Sequence, residues 1–290
     1  PCPLLVLLRV RMVFFRVLSR LPLRLLYGFA DFLYLILRYV VRYRWSVVLE
    51  NLQNAFPSES PAERRRLASA FYRNLTDLFV ETLKGLTMTE AELRRRVHVV
   101  NPEAFQPYLD AGQTVLIMTS HQCNWEWQSP AVRVLGPAVD VVYQPLTSAF
   151  FDGMLREVRG RFGIAPIPMQ GLLRDMVKRR GQPRLIGLVA DQAAPPETAY
   201  WTRFLNQETD FFVGTDKLAR QFNAPAIFAE MRRVRRGHYE LRFFPLAEPP
   251  YDDLLPLTII ERYVRRLEAS LRENPADWLW SHRRWKHKRT

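Results

Sequence analysis

The sequence predicts an α/β fold: one domain with a central, mostly parallel or mixed sheet flanked by helices, preceded by a membrane-associating helical segment. Three observations predict it. Val115-Leu116-Ile117-Met118 is a short apolar run, entered from the turn Asp110-Ala111-Gly112-Gln113 and ending in Thr119-Ser120-His121, as a buried strand would. Further apolar runs at 138–143 and 184–190 alternate with helical stretches, the pattern of a helix-covered sheet. Residues 3–49 form the most apolar part of the chain and carry helical periodicity, which sets a segment 1–50 apart from a domain 51–290.

In the first segment, Arg9, Arg16 and Arg20 lie within about 20° of one helical stripe, at about 100° per residue, among Leu, Val, Met and Phe. Arginines interleaved with apolar residues suit a helix lying in a bilayer interface. A second stretch, 25–41, is aromatic and apolar but contains Asp31 and Arg38. Neither is a clean spanning helix, which wants about 20 apolar residues, and no signal peptide with a small-residue cleavage site is evident. A pair of buried core helices is the competing explanation.

The chain has 290 residues, enough for a full core, a formal net charge of +13 and 48% hydrophobic residues. A basic, apolar protein suits an anionic surface: lipid headgroups, a polyanionic glycolipid, an acidic carrier protein or nucleic acid. The aromatics fall in core-like patterns rather than in basic strips, which counts against nucleic acid. Cys2 and Cys123 are the only cysteines and give no disulfide framework or metal pattern.

Residues 44–57 close the first segment, 58–61 form a turn, and 62–86 make an amphipathic helix with Leu67, Phe71, Leu75, Leu78, Phe79 and Leu83 at threes and fours. Residues 88–112 hold a helix, a strand at 97–100 and a helix cap at Asn101-Pro102-Glu103. The strand at 115–118 delivers His121 to its carboxyl end, where open α/β sheets place their chemistry. Its imidazole, with an unperturbed pKa of about 6.5, suits removal of a proton from a substrate hydroxyl. Glu126 is expected to orient the ring and stabilise the imidazolium. One His and one Glu five apart also occur by chance, and two ligands at this spacing do not make a zinc site. Cys123 as nucleophile ranks well below His121.

Helix 127–135 continues from Glu126, strand 138–143 follows, and 169–180 is helical. The strand 184–190 ends in Asp191-Gln192. Residues 200–206 look like an exposed aromatic loop, 226–232 and 239–244 like two strands joined by a basic hairpin tip with His238 in the solvated turn, and 257–274 like a helix.

Several blocks together resemble a known family. His121-Gln122-Cys123-Asn124-Trp125-Glu126 resembles the His-x-x-x-x-Asp/Glu signature of glycerolipid-type acyltransferases, and Asn-Trp-Glu looks like the late acyltransferases of lipid A biosynthesis. Asn51-Leu52-Gln53-Asn54-Ala55-Phe56-Pro57, Val142-Tyr143-Gln144-Pro145, Asp191-Gln192, Phe211-Phe212-Val213-Gly214-Thr215 and Trp278-Leu279-Trp280-Ser281-His282-Arg283-Arg284-Trp285-Lys286 resemble further blocks in the same order. The family usually has Phe-Gly at Gln122-Cys123 and arginine at Gln144.

The resemblance implies a glycerolipid-acyltransferase-like fold and transfer of a fatty acyl group from acyl carrier protein or coenzyme A to a hydroxyl of a membrane glycolipid. It implies the cytoplasmic face of a bacterial inner membrane, and neither cofactor nor metal. His121 would be the base, Glu126 its orienting acid and Arg161 the oxyanion donor; Asn124, Tyr143, Gln144, Arg159, Asp191, Gln192 and Gly214 would contact substrate. Lysophospholipid, aminolipid or mannoside acceptors remain alternatives, as does a non-enzymatic basic membrane- or nucleic-acid-binding protein.

Overall fold

A computed structural model describes residues 3–289, with side chains from residue 11 onward. The amino-terminal segment forms α1 (Pro3–Ser19) and α2 (Leu23–Leu35), the latter running into a π-helical turn at Ile36–Val40. Next come α3 (Trp45–Ala55) and α4 (Pro61–Lys84), the longest helix, whose start is fixed where the Ser60 hydroxyl accepts from Glu63 N–H at 3.1 Å. Thr89 caps α5 (Glu90–Arg96) in the same way, accepting from Glu92 N–H at 3.1 Å. This helix leads into β1 (Val97–Val99), and α6 (Gln106–Asp110) precedes β2 (Val115–Thr119).

The chain continues through α7 (Trp125–Arg133), β3 (Val139–Tyr143), α8 (Ala149–Arg161), β4 (Ala165–Pro168), α9 (Leu172–Lys178) and β5 (Leu185–Val189). It then forms a separate hairpin, β6 (Tyr200–Phe204) with β7 (Gln207–Phe211). Last come α10 (Gly214–Phe222), β8 (Ala226–Arg235), β9 (His238–Ala247) and α11 (Thr258–Glu273).

Seven strands form the main sheet in the order β1-β9-β8-β2-β5-β3-β4. All neighbours pair in parallel except β8 and β9, which form a hairpin. The strand run at Val115 is uniformly apolar because both faces of β2 are covered. Leu116 and Met118 join a core with Tyr263 and Leu267 of α11 and with Trp278 and Trp280. Val115 and Ile117 point the other way, into a core with Trp127 and Ala131 of α7 and Leu26 and Ala30 of α2.

The aromatic stretch at 200–206 is a strand rather than an exposed loop: Phe204 is buried, and its ring stands at 5.4 Å from Phe211 and 5.9 Å from Trp278. β4, with Ala and two prolines, carried too little β-branched signal to be foreseen, and it sits at the sheet edge where proline is tolerated. The basic hairpin tip is docked rather than free. Arg236 pairs with Asp31 at 2.7 Å and Asp77 at 2.6 Å, which fastens the β8–β9 turn to α2 and α4.

α1 packs through Met12, Phe15 and Leu18 and leaves Val13, Phe14 and Val17 outward, each more than half exposed. The outward face continues along α2 with Leu25, Phe29, Phe32 and Leu35 and ends at Val40 and Val41. Arg16 lies between the packed and outward faces and pairs with Glu157 at 2.8 Å. The Arg9 side chain lies outside the described residues. No helix among the described residues is long and apolar enough to cross a membrane.

Candidate active site

The sheet register explains which side chains meet. β2 and β5 are parallel neighbours with Thr119 opposite Val189, so residues two positions past each strand end arrive side by side. These are His121 and Asp191. The His121 Nδ1 lies 2.8 Å from Asp191 Oδ1, and the His121 backbone N–H donates to Oδ2 at 2.9 Å. Trp278 Nε1–H also donates to Oδ2, at 2.7 Å. Asp191 is buried and receives three hydrogen bonds, so it stays ionised; burial works against this, but His121 and the donated bonds outweigh it and hold its pKa below the usual carboxylate value.

An ionised carboxylate only accepts, so Nδ1 carries the ring hydrogen and the neutral imidazole keeps a lone pair on Nε2. Near Nε2 stands the Gln192 side-chain amide, at 3.4 Å. The Trp125 ring meets the imidazole edge-on, with 5.1 Å between centroids. Burial lowers the proton affinity of the ring, yet the charge and hydrogen bond of Asp191, with the charge of Glu126, raise the pKa above its ordinary value. The arrangement suits a general base whose imidazolium is stabilised as it forms.

Glu126 does not orient the ring. The turn after His121 ends at Asn124, which caps α7 by accepting from Trp127 N–H at 3.0 Å, and Glu126 in the first turn of that helix faces α8. There Arg159 grips it, with Nη2 at 2.9 and 3.0 Å from the two oxygens and Nε at 3.2 Å. Glu126 therefore reaches His121 through its field and reaches Arg159 through hydrogen bonds. Arg161 is turned away from both. Its guanidinium donates to the carbonyls of Gly85 and Met88, the latter at 3.1 Å, and pins α8 to the end of α4. With two of its donors committed to backbone oxygens at the end of α4, Arg161 makes no hydrogen bond to His121 or Glu126, and no contact supports the expected oxyanion role.

Asn124 is also structural. It is fully buried, and its amide donates at 2.7 Å to Glu81 of α4, which also accepts from the hydroxyls of Tyr27 and Tyr239 at 2.7 Å each. Burial raises the Glu81 pKa against those bonds, and the cluster ties α2, α4, β9 and the turn after His121 together. At the end of β3, Arg156 stands over the Tyr143 ring at 5.2 Å, and Gln144 is exposed. Gly214 opens α10, with room around its Cα.

The two departures in the turn have physical counterparts. Gln122 is buried and exchanges hydrogen bonds with Ser270 of α11, donating at 2.8 Å and accepting at 3.2 Å. Cys123 adopts φ 53°, a left-handed conformation that glycine takes more readily. Its single S–H is shared between Met231 O and Asp277 Oδ2, which lie at 3.1 and 3.2 Å from the sulfur. Burial and the nearby Asp277 push the thiol pKa well up, which removes it as a nucleophile.

The carboxyl-terminal block is the floor of the site. Gln122 bridges to Trp278, Leu279 N–H donates to His121 O at 3.1 Å, and Asn51 donates to the carbonyls of Trp280 and His282 at 2.8 and 3.0 Å. Arg284, fully buried, pairs with Asp210 of β7 at 2.7 Å, and Asp210 accepts from Ala194 N–H at 2.7 Å, three residues past Asp191. Burial lowers the His282 pKa to about 4, against the opposing charge of Asp191, so this ring is neutral at neutral pH. Sequence reasoning gave Trp278 and His282 no role; the only available signal was the tail motif as a whole.

A small apolar cavity of about 30 Å³ lies between the sheet and α7, lined by Thr119, Gln128, Ser129, Gly187 and neighbouring aliphatic side chains. Thr119 is two residues before His121.

The chain matches the family described as bacterial lipid A biosynthesis acyltransferase over residues 5–287. It is 23% identical over 255 residues to the lipid A biosynthesis lauroyltransferase of Escherichia coli strain K12, covering 87% of this chain and 82% of that protein.

Proposed function

Because the chain belongs to the bacterial lipid A biosynthesis acyltransferase family, we propose that it moves a fatty acyl group from an acyl carrier protein or coenzyme A thioester to a hydroxyl of a lipid A precursor. The observation that carries this reading is the hydrogen-bonded His121–Asp191 pair at the carboxyl edge of the sheet, with Nε2 left to accept.

In the proposed reaction, Nε2 of His121 takes the acceptor hydroxyl proton while the oxygen attacks the thioester carbonyl. Asp191 holds the ring and balances the imidazolium. Collapse of the tetrahedral adduct breaks the carbon–sulfur bond, and the proton passes from Nε2 to the departing thiolate. The Gln192 amide, beside Nε2, is the proposed donor to substrate oxygen. Arg159, held by Glu126 at 2.9 Å, is assigned with Tyr143, Gln144 and Gly214 to the rim that receives the lipid.

The outward apolar face of α1 and α2 is proposed to rest in the interface of the inner membrane, on its cytoplasmic side, where long-chain acceptors reside. The segment 1–50 then serves as the anchor and 51–290 as the transferase unit.

The test is incubation of the purified protein with acyl carrier and coenzyme A thioesters and a set of acceptors: lipid A precursors, lysophospholipids, aminolipids and mannosides. A product heavier by one acyl group on a lipid A precursor is expected. Acylation of another acceptor class alone would reassign the substrate, and no transfer from either thioester would contradict the reaction class.

A further inference from the structure

The turn from α1 to α2 and the tip of the β8–β9 hairpin face each other across a recess of about 770 Å³, remote in sequence from His121. Six cations from four parts of the chain line it, and two of them have carboxylate partners. Arg96 is tied to Glu92 at 3.1 Å, and Arg236 to Asp31 and Asp77. Arg24, Arg95 and Arg235 also line the recess, are exposed, and have no carboxylate or other hydrogen-bond acceptor on their guanidinium groups among the described residues. Glu92, the one acidic residue in the lining, is already taken by Arg96.

Lys84 adds a built element. Its side chain is buried, and its ammonium donates to the carbonyls of Ser19 and Leu21 at 3.1 and 3.2 Å, where α1 ends. An ammonium has three N–H bonds, so one remains at the wall of the recess. His238, also in the lining, has its pKa lowered by burial and then by Arg235 and Arg96, as expected in a positive field.

The recess also has an apolar border. Arg24 sits next to Leu25, which is 60% exposed, and Leu21, Val17 and Phe29 continue that surface. A cationic recess flanked by an outward apolar face complements a molecule with a phosphate head and a hydrocarbon tail. We propose that this recess binds the phosphate headgroup of an anionic lipid presented by the bilayer, with Arg24, Arg95, Arg235 and Lys84 as its donors. The proposal rests on the assignment of α1 and α2 to the membrane interface, and it adds a site separate from the His121 centre.

The test compares binding of the full chain to vesicles of phosphatidylcholine alone and of phosphatidylcholine with phosphatidylglycerol. The triple variant Arg24→Gln, Arg95→Gln, Arg235→Gln is set against a control triple with the same charge loss, Arg174→Gln, Arg203→Gln, Arg242→Gln. At about fivefold per arginine near the surface, the recess triple should lose on the order of a hundredfold in binding to the anionic vesicles, and the control only severalfold. Equal losses in the two triples would overturn the recess while leaving membrane binding intact. Failure of the unaltered chain to bind either vesicle would instead remove the membrane assignment on which the recess depends.

A second readout separates lipid from free phosphate. Short-chain phosphatidylglycerol should raise the midpoint of the His238 imidazole titration, followed by NMR, and inorganic phosphate at the same concentration should leave it in place. An equal rise with inorganic phosphate would overturn the lipid assignment.

Discussion

Replacing Asp191 with asparagine lowers turnover on the order of 10⁴-fold and leaves KM for the thioester nearly unchanged, as a carboxylate-to-amide change behind a catalytic histidine does elsewhere. The geometry gives the reason. The asparagine oxygen can still accept from the His121 backbone N–H and Trp278 Nε1–H, at 2.9 and 2.7 Å in the unaltered protein, so the turn survives. Its amide N–H then faces Nδ1, which must become the acceptor, and the ring hydrogen moves to Nε2. The base is lost while the fold is kept, and circular dichroism should be unchanged. The pH profile carries an independent sign. In the unaltered enzyme, Asp191 and Glu126 hold the His121 proton against burial, so activity rises with pH through a midpoint above the ordinary histidine value of about 6.5. In the asparagine variant burial prevails, and the midpoint of residual activity falls below that of the parent.

Asp210→Ala destabilises the chain by about 3–5 kcal/mol, the usual cost of leaving a buried partner charge uncompensated. Arg284 is fully buried, pairs with Asp210 at 2.7 Å, and stacks over Phe211 at 4.6 Å, so it has no route to water. The same substitution removes the acceptor of Ala194 N–H. The double variant Asp210→Ala, Arg284→Met discards both charges and should recover a large part of the loss, read as the shift in urea midpoint. If the single and double variants unfold at the same midpoint, the ion pair is not what holds the tail against the β6–β7 hairpin.

Much of the fold was legible because β2 and β5 are short apolar runs and α4 and α11 carry a clear helical periodicity, and these four elements match the expected ranges closely. The site was legible only in part. His121 follows from a strand that ends in it, but its partner depends on which strands are neighbours, and nothing local says that β5 lies beside β2. Asp191 was therefore expected at substrate, while Glu126, close in sequence, was expected at the ring. Arg159 and Arg161 pose the same difficulty. Two residues apart, they point to nearly opposite sides of α8 at about 100° per residue, and only packing decides that Arg159 meets Glu126 and Arg161 meets the end of α4. The tail motif was visible as a pattern but not as a floor, since its contacts reach back to Asn51, His121, Asp191 and Asp210.

The reaction is tested most directly by single-turnover acyl transfer with His121→Ala, using the thioester and acceptor that the unaltered protein accepts. The substitution removes the Nε2 nitrogen and frees Asp191 without touching α1 and α2. Product formation should fall by at least about 10²–10⁴-fold, with vesicle binding unchanged. Transfer at the parental rate by a folded His121→Ala protein would contradict base catalysis by this residue.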